Sequence, residues 1–321
     1  MPRCQHNAAI SGVPHVSQRP RNLATSVRQR LFNLAREKGE VFDLILTRYA
    51  LERLLYRIGQ SEWQKKFLLK GAMLFSLWYD VPYRPTRDLD LGYDSGNVVS
   101  LEQIFRSLCS LEVEEDGIIF LPESVRGAEI RDENEYQGVR IQFKANLAGA
   151  RISLQVDVGF GDVVIPAPEK ITYPTLLEFP APKLMAYPRY TVVSEKFHVM
   201  VVLGIANSRM KDFYDLWVMA RQFDFDGIIL SRAIQATFKR RNTTLPVEIP
   251  LALTDAFSKD GFKIRQWDAF TRKNRLVANG ETFSDITGLL REFIMPPVSA
   301  VARREKFNFI WPPSGPWKKH L

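Results

Sequence analysis

Residues 84–91 read Arg-Pro-Thr-Arg-Asp-Leu-Asp-Leu, and no other stretch constrains the fold as strongly. Pro82 and Pro85 disfavour helix and direct the backbone into an extended path. Alternate residues of a strand project to opposite faces, so Asp88 and Asp90 stand side by side while Leu89 and Leu91 turn toward a core. Adjacent carboxylates repel unless a cation or solvent separates them, and a divalent ion is the compact solution. Taken alone, an Asp-x-Asp pair is more often two solvated surface acids neutralised by a neighbour such as Arg84 or Arg87.

The surroundings of the pair change that balance. Upstream, Lys70-Gly71-Ala72 offers a glycine at which backbone can approach a phosphate, followed by a helix whose N–H groups could face the anion. Arg84 and Thr86 place a cation and a hydroxyl on the run into the carboxylates, suited to triphosphate oxygens; otherwise Arg84 is a surface cation pairing with Asp80 or Asp94. Asp157 adds a third acid on the polar side of an alternating strand, with Asp162 a competing candidate in the turn beyond Gly161. Three carboxylates from neighbouring strands describe a two-metal phosphoryl-transfer site.

Further on, Lys196 opens a helix whose i+3, i+4 and i+7 neighbours are apolar, and either snorkels to water or grips a triphosphate. Asp212 and Asp215 share one face of the next helix, where acids also serve as ordinary partners of the helix dipole. Lys239-Arg240-Arg241, Arg272-Lys273 and Arg303-Arg304 trace a polyanion path or simply solvate helix ends.

The rest of the sequence bounds the setting. Residues 1–21 lack periodicity and read as a flexible arm. Residues 22–179 combine two amphipathic helices split at Gly39, a helix-like stretch from Trp63 to Tyr79 and a helix over Leu101–Leu111. They end in two alternating strands around Phe143 and Leu154, joined at Ala148-Gly149-Ala150. Residues 180–296 read as helices over 194–206, 210–223, 228–240, 250–257, 264–273 and 282–294, and residues 297–321, with Pro312, Pro313 and Pro316, as a loose tail. A net charge of +8 favours an anionic partner. Two cysteines and four scattered histidines exclude a disulfide framework, a Cys/His zinc site and a Ser/His/Asp triad. Without a spanning segment or a signal-like apolar run, the expected setting is cytoplasmic.

The order of these features resembles the AbiEii family of nucleotidyltransferase-like toxins, in the polymerase-beta-like nucleotidyltransferase superfamily. Lys70-Gly71-Ala72-Met73-Leu74-Phe75 with Arg84-x-Thr86-x-Asp88-x-Asp90 resembles its first motif, Val156-Asp157-Val158-Gly159-Phe160-Gly161 its second, Glu195-Lys196 its third, and Arg209-x-Lys211-Asp212-x-x-Asp215-Leu216 its fourth. The resemblance implies an α+β fold, with a mixed β-sheet nucleotidyltransferase lobe flanked by helices and a mostly helical C-terminal lobe. A nucleoside triphosphate would sit between the lobes. Asp88, Asp90 and Asp157 would hold Mg²⁺ or Mn²⁺. Lys70, Gly71, Ala72, Arg84, Thr86 and Lys196 would bind the nucleotide, and Asp212 or Asp215 would act as base or as support for Lys196.

The implied activity is transfer of a nucleoside monophosphate to an RNA, the tRNA 3′ end foremost, by a toxin of a toxin-antitoxin or abortive-infection system with a cognate antitoxin. The alternatives are nucleotidylation of a protein, a non-catalytic protein of the same fold that binds nucleotide or antitoxin, and a nucleic-acid-binding module. One departure favours the non-catalytic reading. The family often has Gly-Gly-Thr or Gly-Gly-Ser where this chain has Gly71-Ala72-Met73, which removes a hydroxyl able to touch phosphate.

Overall fold

The computed structural model describes residues 23–78, 86–94, 96–131, 137–276 and 280–320. The expected N-terminal arm and Arg84 lie outside these residues. Helix α1 (Leu23–Lys38) ends at Gly39, which takes the positive φ of 62° that side chains disfavour, and α2 (Phe42–Gln60) follows. Nearly every residue of α2 from Ile45 to Gly59 is buried, so its charged side chains need internal partners. Arg53 is fully buried, pairs with Glu52 at 2.8 Å and donates to Pro180 O at 3.0 Å, while Glu52 accepts the Leu176 N–H at 2.7 Å. Arg57 pairs with Asp116 at 2.8 Å. These contacts fasten two long connections to the central helix.

Next come β1 (Leu68–Lys70), α3 (Leu74–Trp78), β2 (Asp88–Tyr93), α4 (Val98–Ser110), β3 (Ile119–Arg131), β4 (Gln137–Leu147), β5 (Ala150–Phe160), β6 (Glu169–Thr172) and β7 (Lys183–Ala186). The strands form one mixed seven-stranded sheet in the order β3-β4-β5-β2-β1-β7-β6. β5 runs parallel to β2 and β1 parallel to β7, the other neighbours being antiparallel. Leu89, Leu91, Val156 and Val158 are fully buried on one face, the side from which α2 packs on β5. The β4–β5 hairpin turns on Ala148 and Gly149, with φ of 47° and 82°, the paired positive angles that match strand twist.

The stretch from Trp63 to Tyr79, expected to be helical, is instead a turn, strand β1, a 3₁₀ turn at Gly71–Met73 and the short α3. Pairing to β2 on one side and β7 on the other outweighs its helical periodicity. β7 belongs to the sheet although it lies beyond the expected boundary at residue 180.

The helical lobe holds α5 (Arg189–Leu203), α6 (Met210–Gln222), β8 (Phe225–Asp226), α7 (Gly227–Arg240), α8 (Asp255–Ser258), α9 (Gly261–Lys273) and α10 (Phe283–Ala302). α10 is capped by a reciprocal Thr282–Asp285 box and packs on α6 and α7. It continues through Pro296 and Pro297, past its expected end at Ile294. Proline lacks the N–H that would bond the carbonyl four residues back, and Trp317 Nε1 supplies that donor to Phe293 O at 3.1 Å.

The tail expected to be loose is therefore ordered: β9 (Phe309–Trp311) and β10 (Lys318–Lys319) complete a three-stranded sheet with β8. Trp311 is fully buried, and its Nε1 donates to Ala220 O at 2.7 Å. An indole removed from such a site forfeits packing and a satisfied donor together. Trp311→Ala is expected to cost about 3–5 kcal/mol, seen as a lowered urea midpoint at unchanged slope; an unchanged midpoint would contradict this packing role.

Candidate active site

The register of three strands gathers the acidic residues. Asp90 on β2 pairs with Lys70 on β1 and, across the parallel junction, with Asp157 on β5, and Asp88 lies two residues along the same face. Opposite the apolar side of these strands, this face turns toward α5 and α6, whose Lys196 and Lys211 bear on the Asp90 carboxylate. Burial raises the affinity of both Asp88 and Asp90 for protons, and the nearby Asp157 charge adds to it. Lys70, Lys211 and Lys196 act against this at Asp90, and Arg140, Lys211 and Arg87 at Asp88. Among the described residues, neither Asp88 nor Asp90 forms an ion pair.

Gly71 seats this arrangement. Its φ is +72°, and a Cβ built there would lie 2.0 Å from Asp90 Oδ2. Any side chain at residue 71 would expel the carboxylate. Ala72 and Met73 are buried at 8% and 3% exposure, so side chains at these positions enter the core. A hydroxyl at residue 72 or 73 would be in the core too, so the Gly-Ala-Met departure leaves the carboxylate face intact. Thr86 does not offer its hydroxyl to that face either, since Oγ1 donates to the Asp88 carbonyl at 3.1 Å.

Asp157 is engaged differently. Arg140, its partner on β4, holds both carboxylate oxygens in a fork, Nε to Oδ1 at 2.8 Å and Nη2 to Oδ2 at 2.7 Å. Among the described residues, no three His, Cys, Asp or Glu side chains are grouped so as to hold a metal ion. The carboxylates that a cation can approach as they stand are Asp88 and Asp90.

On the helical side, Lys196 of α5 is clamped by two acids of α6, Asp212 at 2.6 Å and Asp215 at 2.8 Å, and Arg209 holds the other oxygen of Asp212 at 2.7 Å. Asp212 and Asp215 are essentially inaccessible to solvent. Burial alone would raise the Asp212 carboxyl, but Lys196 and Arg209 hold it far below the usual carboxylate range. A group so firmly ionised is a poor proton acceptor, which makes it support for Lys196 rather than a general base.

A second buried network escapes sequence reasoning. Asp162, directly after the positive-φ Gly161, binds Lys70 Nζ at 2.8 Å and the Tyr187 hydroxyl at 3.0 Å through one oxygen, and Arg241 at 3.4 Å through the other. Glu195 lies against Asp162 and 3.7 Å from Arg241, and burial with that carboxylate contact raises its pKa to about 7. Arg241 also reaches His198 Nδ1 at 3.3 Å, and burial and this cation lower the imidazole pKa to about 4. Arg240 donates to Gly161 O. Two of the three cations in the run 239–241 therefore join the lobes instead of lining a polyanion path. The readable signal was the Gly161-Asp162 turn; its partners are distant in sequence.

A family model described as "Nucleotidyl transferase AbiEii toxin, Type IV TA system" matches residues 53–286, a span containing every element of the site just described. A comparison with curated proteins found no match. Among solved structures, a proposed nucleotidyltransferase from H. pylori is similar at 13% identity and a TM-score of 0.42, over 80% of this chain and 96% of that one. JHP933 from Helicobacter pylori is similar at 13% identity and a TM-score of 0.43, over 79% of this chain and 93% of that one. With its model matched over well more than half of the 321 residues, the chain belongs to the AbiEii family of nucleotidyl transferase toxins of type IV toxin-antitoxin systems.

Proposed function

We propose that this chain is a Mg²⁺-dependent toxin that transfers a nucleoside monophosphate from a nucleoside triphosphate to an RNA 3′ hydroxyl, that of tRNA foremost. The observation that carries the reading is the pair Asp88 and Asp90, seated against Gly71 and without an ion pair among the described residues, while the other acids around them are neutralised by cations. Two carboxylates completed by phosphate oxygens and water suit magnesium, and manganese suits the same oxygen ligands. The fit is to a cation on Asp88 and Asp90; a second cation on Asp157 requires that carboxylate to leave Arg140. When bound, the cation would polarise the phosphoryl oxygens and draw off charge that develops during transfer.

The protein's own groups supply the rest. Gly71 opens a close approach for phosphate beside Asp90, and Lys70, tethered by Asp162, contributes fixed positive charge there. Lys196 is locked by Asp212 and Asp215, so it meets a triphosphate without first being ordered. The net charge of +8 favours a polyanionic acceptor, and an antitoxin partner follows from the family.

Purified protein incubated with tRNA, Mg²⁺ and each labelled triphosphate is expected to label the RNA 3′ end. Asp88→Asn and Asp90→Asn should each lower labelling by at least ~10³-fold, because cation stabilisation of transferred charge is worth several kcal/mol at about 1.4 kcal/mol per tenfold. Label entering protein instead of RNA would redirect the proposal to protein nucleotidylation. Absence of labelling with all four triphosphates would refute transfer to tRNA.

The network that orients Lys70 makes a separate prediction. A carboxyl whose pKa is raised in the folded state binds its proton more tightly there than in the unfolded chain, so stability falls as pH rises through the interval. For Glu195 that interval runs from 4.5 to about 7. Asp212 contributes with the opposite sign in a separate range: its pKa is lowered from 3.8, so its stabilisation is present at neutral pH and is lost in acid below that value. Glu195→Gln is therefore expected to flatten the decline of stability between pH 4.5 and 7, read as urea midpoints across pH. Superimposable profiles for variant and parent would show that Glu195 does not titrate in this range.

A further inference from the structure

Arg209 and Lys211, at the start of α6, face two ways. Toward the sheet, Arg209 holds the Asp212 that clamps Lys196, and Lys211 bears on Asp88 and Asp90. Away from it, both line a cavity of 590 Å³ whose other walls include Met210 and, from α9 and its end, Gln266, Phe270 and Asn274. The cavity thus shares its cations with the carboxylate face.

The lining specifies a ligand. Phe270 extends an aromatic cluster with Tyr214 and Trp267, its centroid 6.1 and 6.0 Å from theirs, and with Met210 offers apolar surface to a flat ring. Gln266 Oε1 is buried without a hydrogen-bond partner, an acceptor that gains from meeting an N–H. Its terminal torsion is of the broad, two-fold kind, so the amide can turn that oxygen to the cavity. Asn274 donates Nδ2 to Phe270 O at 2.8 Å, so the group it has to offer is its Oδ1 acceptor. Amide acceptors select donors, cations select phosphate, and the ring surface selects a planar heterocycle. Only a nucleotide whose base carries an amino group combines all three, and uracil has no such group.

We propose that this cavity is a nucleobase subsite selective for amino-bearing bases, with Gln266 as its specificity-determining residue. The proposal rests on the nucleotidyltransferase reading above and adds where a base is held. That base belongs either to the incoming triphosphate or to the 3′-terminal nucleotide of the acceptor.

Two arms separate these sources. In the first, calorimetry measures binding of ATP, CTP, GTP and UTP with Mg²⁺ to the full chain and to Gln266→Met, with Asn274→Ala as a second variant at an exposed helix end. An incoming base in the cavity predicts amino-bearing triphosphates bound about tenfold tighter than UTP, a preference that either variant reduces to about twofold. In the second, tRNA ending in each of the four nucleotides is labelled from one fixed triphosphate, and an acceptor base in the cavity predicts the same collapse in KM across acceptors rather than triphosphates. Preferences unchanged by both variants in both arms, or no base preference in either, would overturn the subsite. A chain that binds no triphosphate at all overturns the underlying nucleotidyltransferase reading, a result distinct from bound triphosphates whose preference ignores Gln266.

Discussion

Asp90 occupies space that a side chain at residue 71 would fill, and the sheet is arranged around that contact. Because Lys70 pairs in register with Asp90, the chain must leave β1 immediately beside a carboxylate, and only the absence of a Cβ and a φ of +72° permit it. The same turn drives Ala72 and Met73 into the core and starts the 3₁₀ segment that leads into α3. One backbone position therefore fixes the strand register, the placement of the carboxylate and the direction of the following helix.

The lobes are joined by charge as well as by apolar packing. Lys70 comes from the sheet, Asp162 from the end of β5, Tyr187 from the end of β7, Glu195 from α5 and Arg241 from the end of α7. Each is largely buried, so each depends on the others to offset desolvation. Removing one partner would leave a buried charge and also release Lys70 from its orientation. An arrangement of this kind gives the cleft a definite geometry at some cost in stability, and the raised Glu195 carboxyl is the visible sign of that cost.

What could be read from the sequence follows from distance along the chain. Asp88 and Asp90 were legible because a period of two is a local property, and Asp212 and Asp215 because i and i+3 share a helix face. The hairpin declared itself through Ala148-Gly149. β3 was not legible: it is an edge strand carrying Pro122, Gly127 and charges, with a register shift between Leu121 and Arg126 that breaks its alternation. The ordered tail was hidden for a related reason. Prolines at 296 and 297 signal a stop, and the compensating donor, Trp317, lies 24 residues beyond Phe293. Arg140 at Asp157 and Asp162 at Lys70 are pairings that only the fold brings together.

The distribution of charge in the cleft is uneven in a way that bears on chemistry. Arg140 neutralises Asp157, Lys70 and Arg241 neutralise Asp162, and Lys196 and Arg209 neutralise the acids of α6. Asp88 and Asp90 are left with cations that act on them without an ion pair among the described residues, and both carboxyls are raised. The protein has thus concentrated uncompensated negative charge at two adjacent carboxylates while surrounding them with lysines and arginines suited to phosphate. A lone cation would meet those carboxylates against opposing positive charge, and a lone triphosphate would meet two acids. A triphosphate arriving with its cation satisfies both at once, so the electrostatics favour binding the pair together over binding either alone.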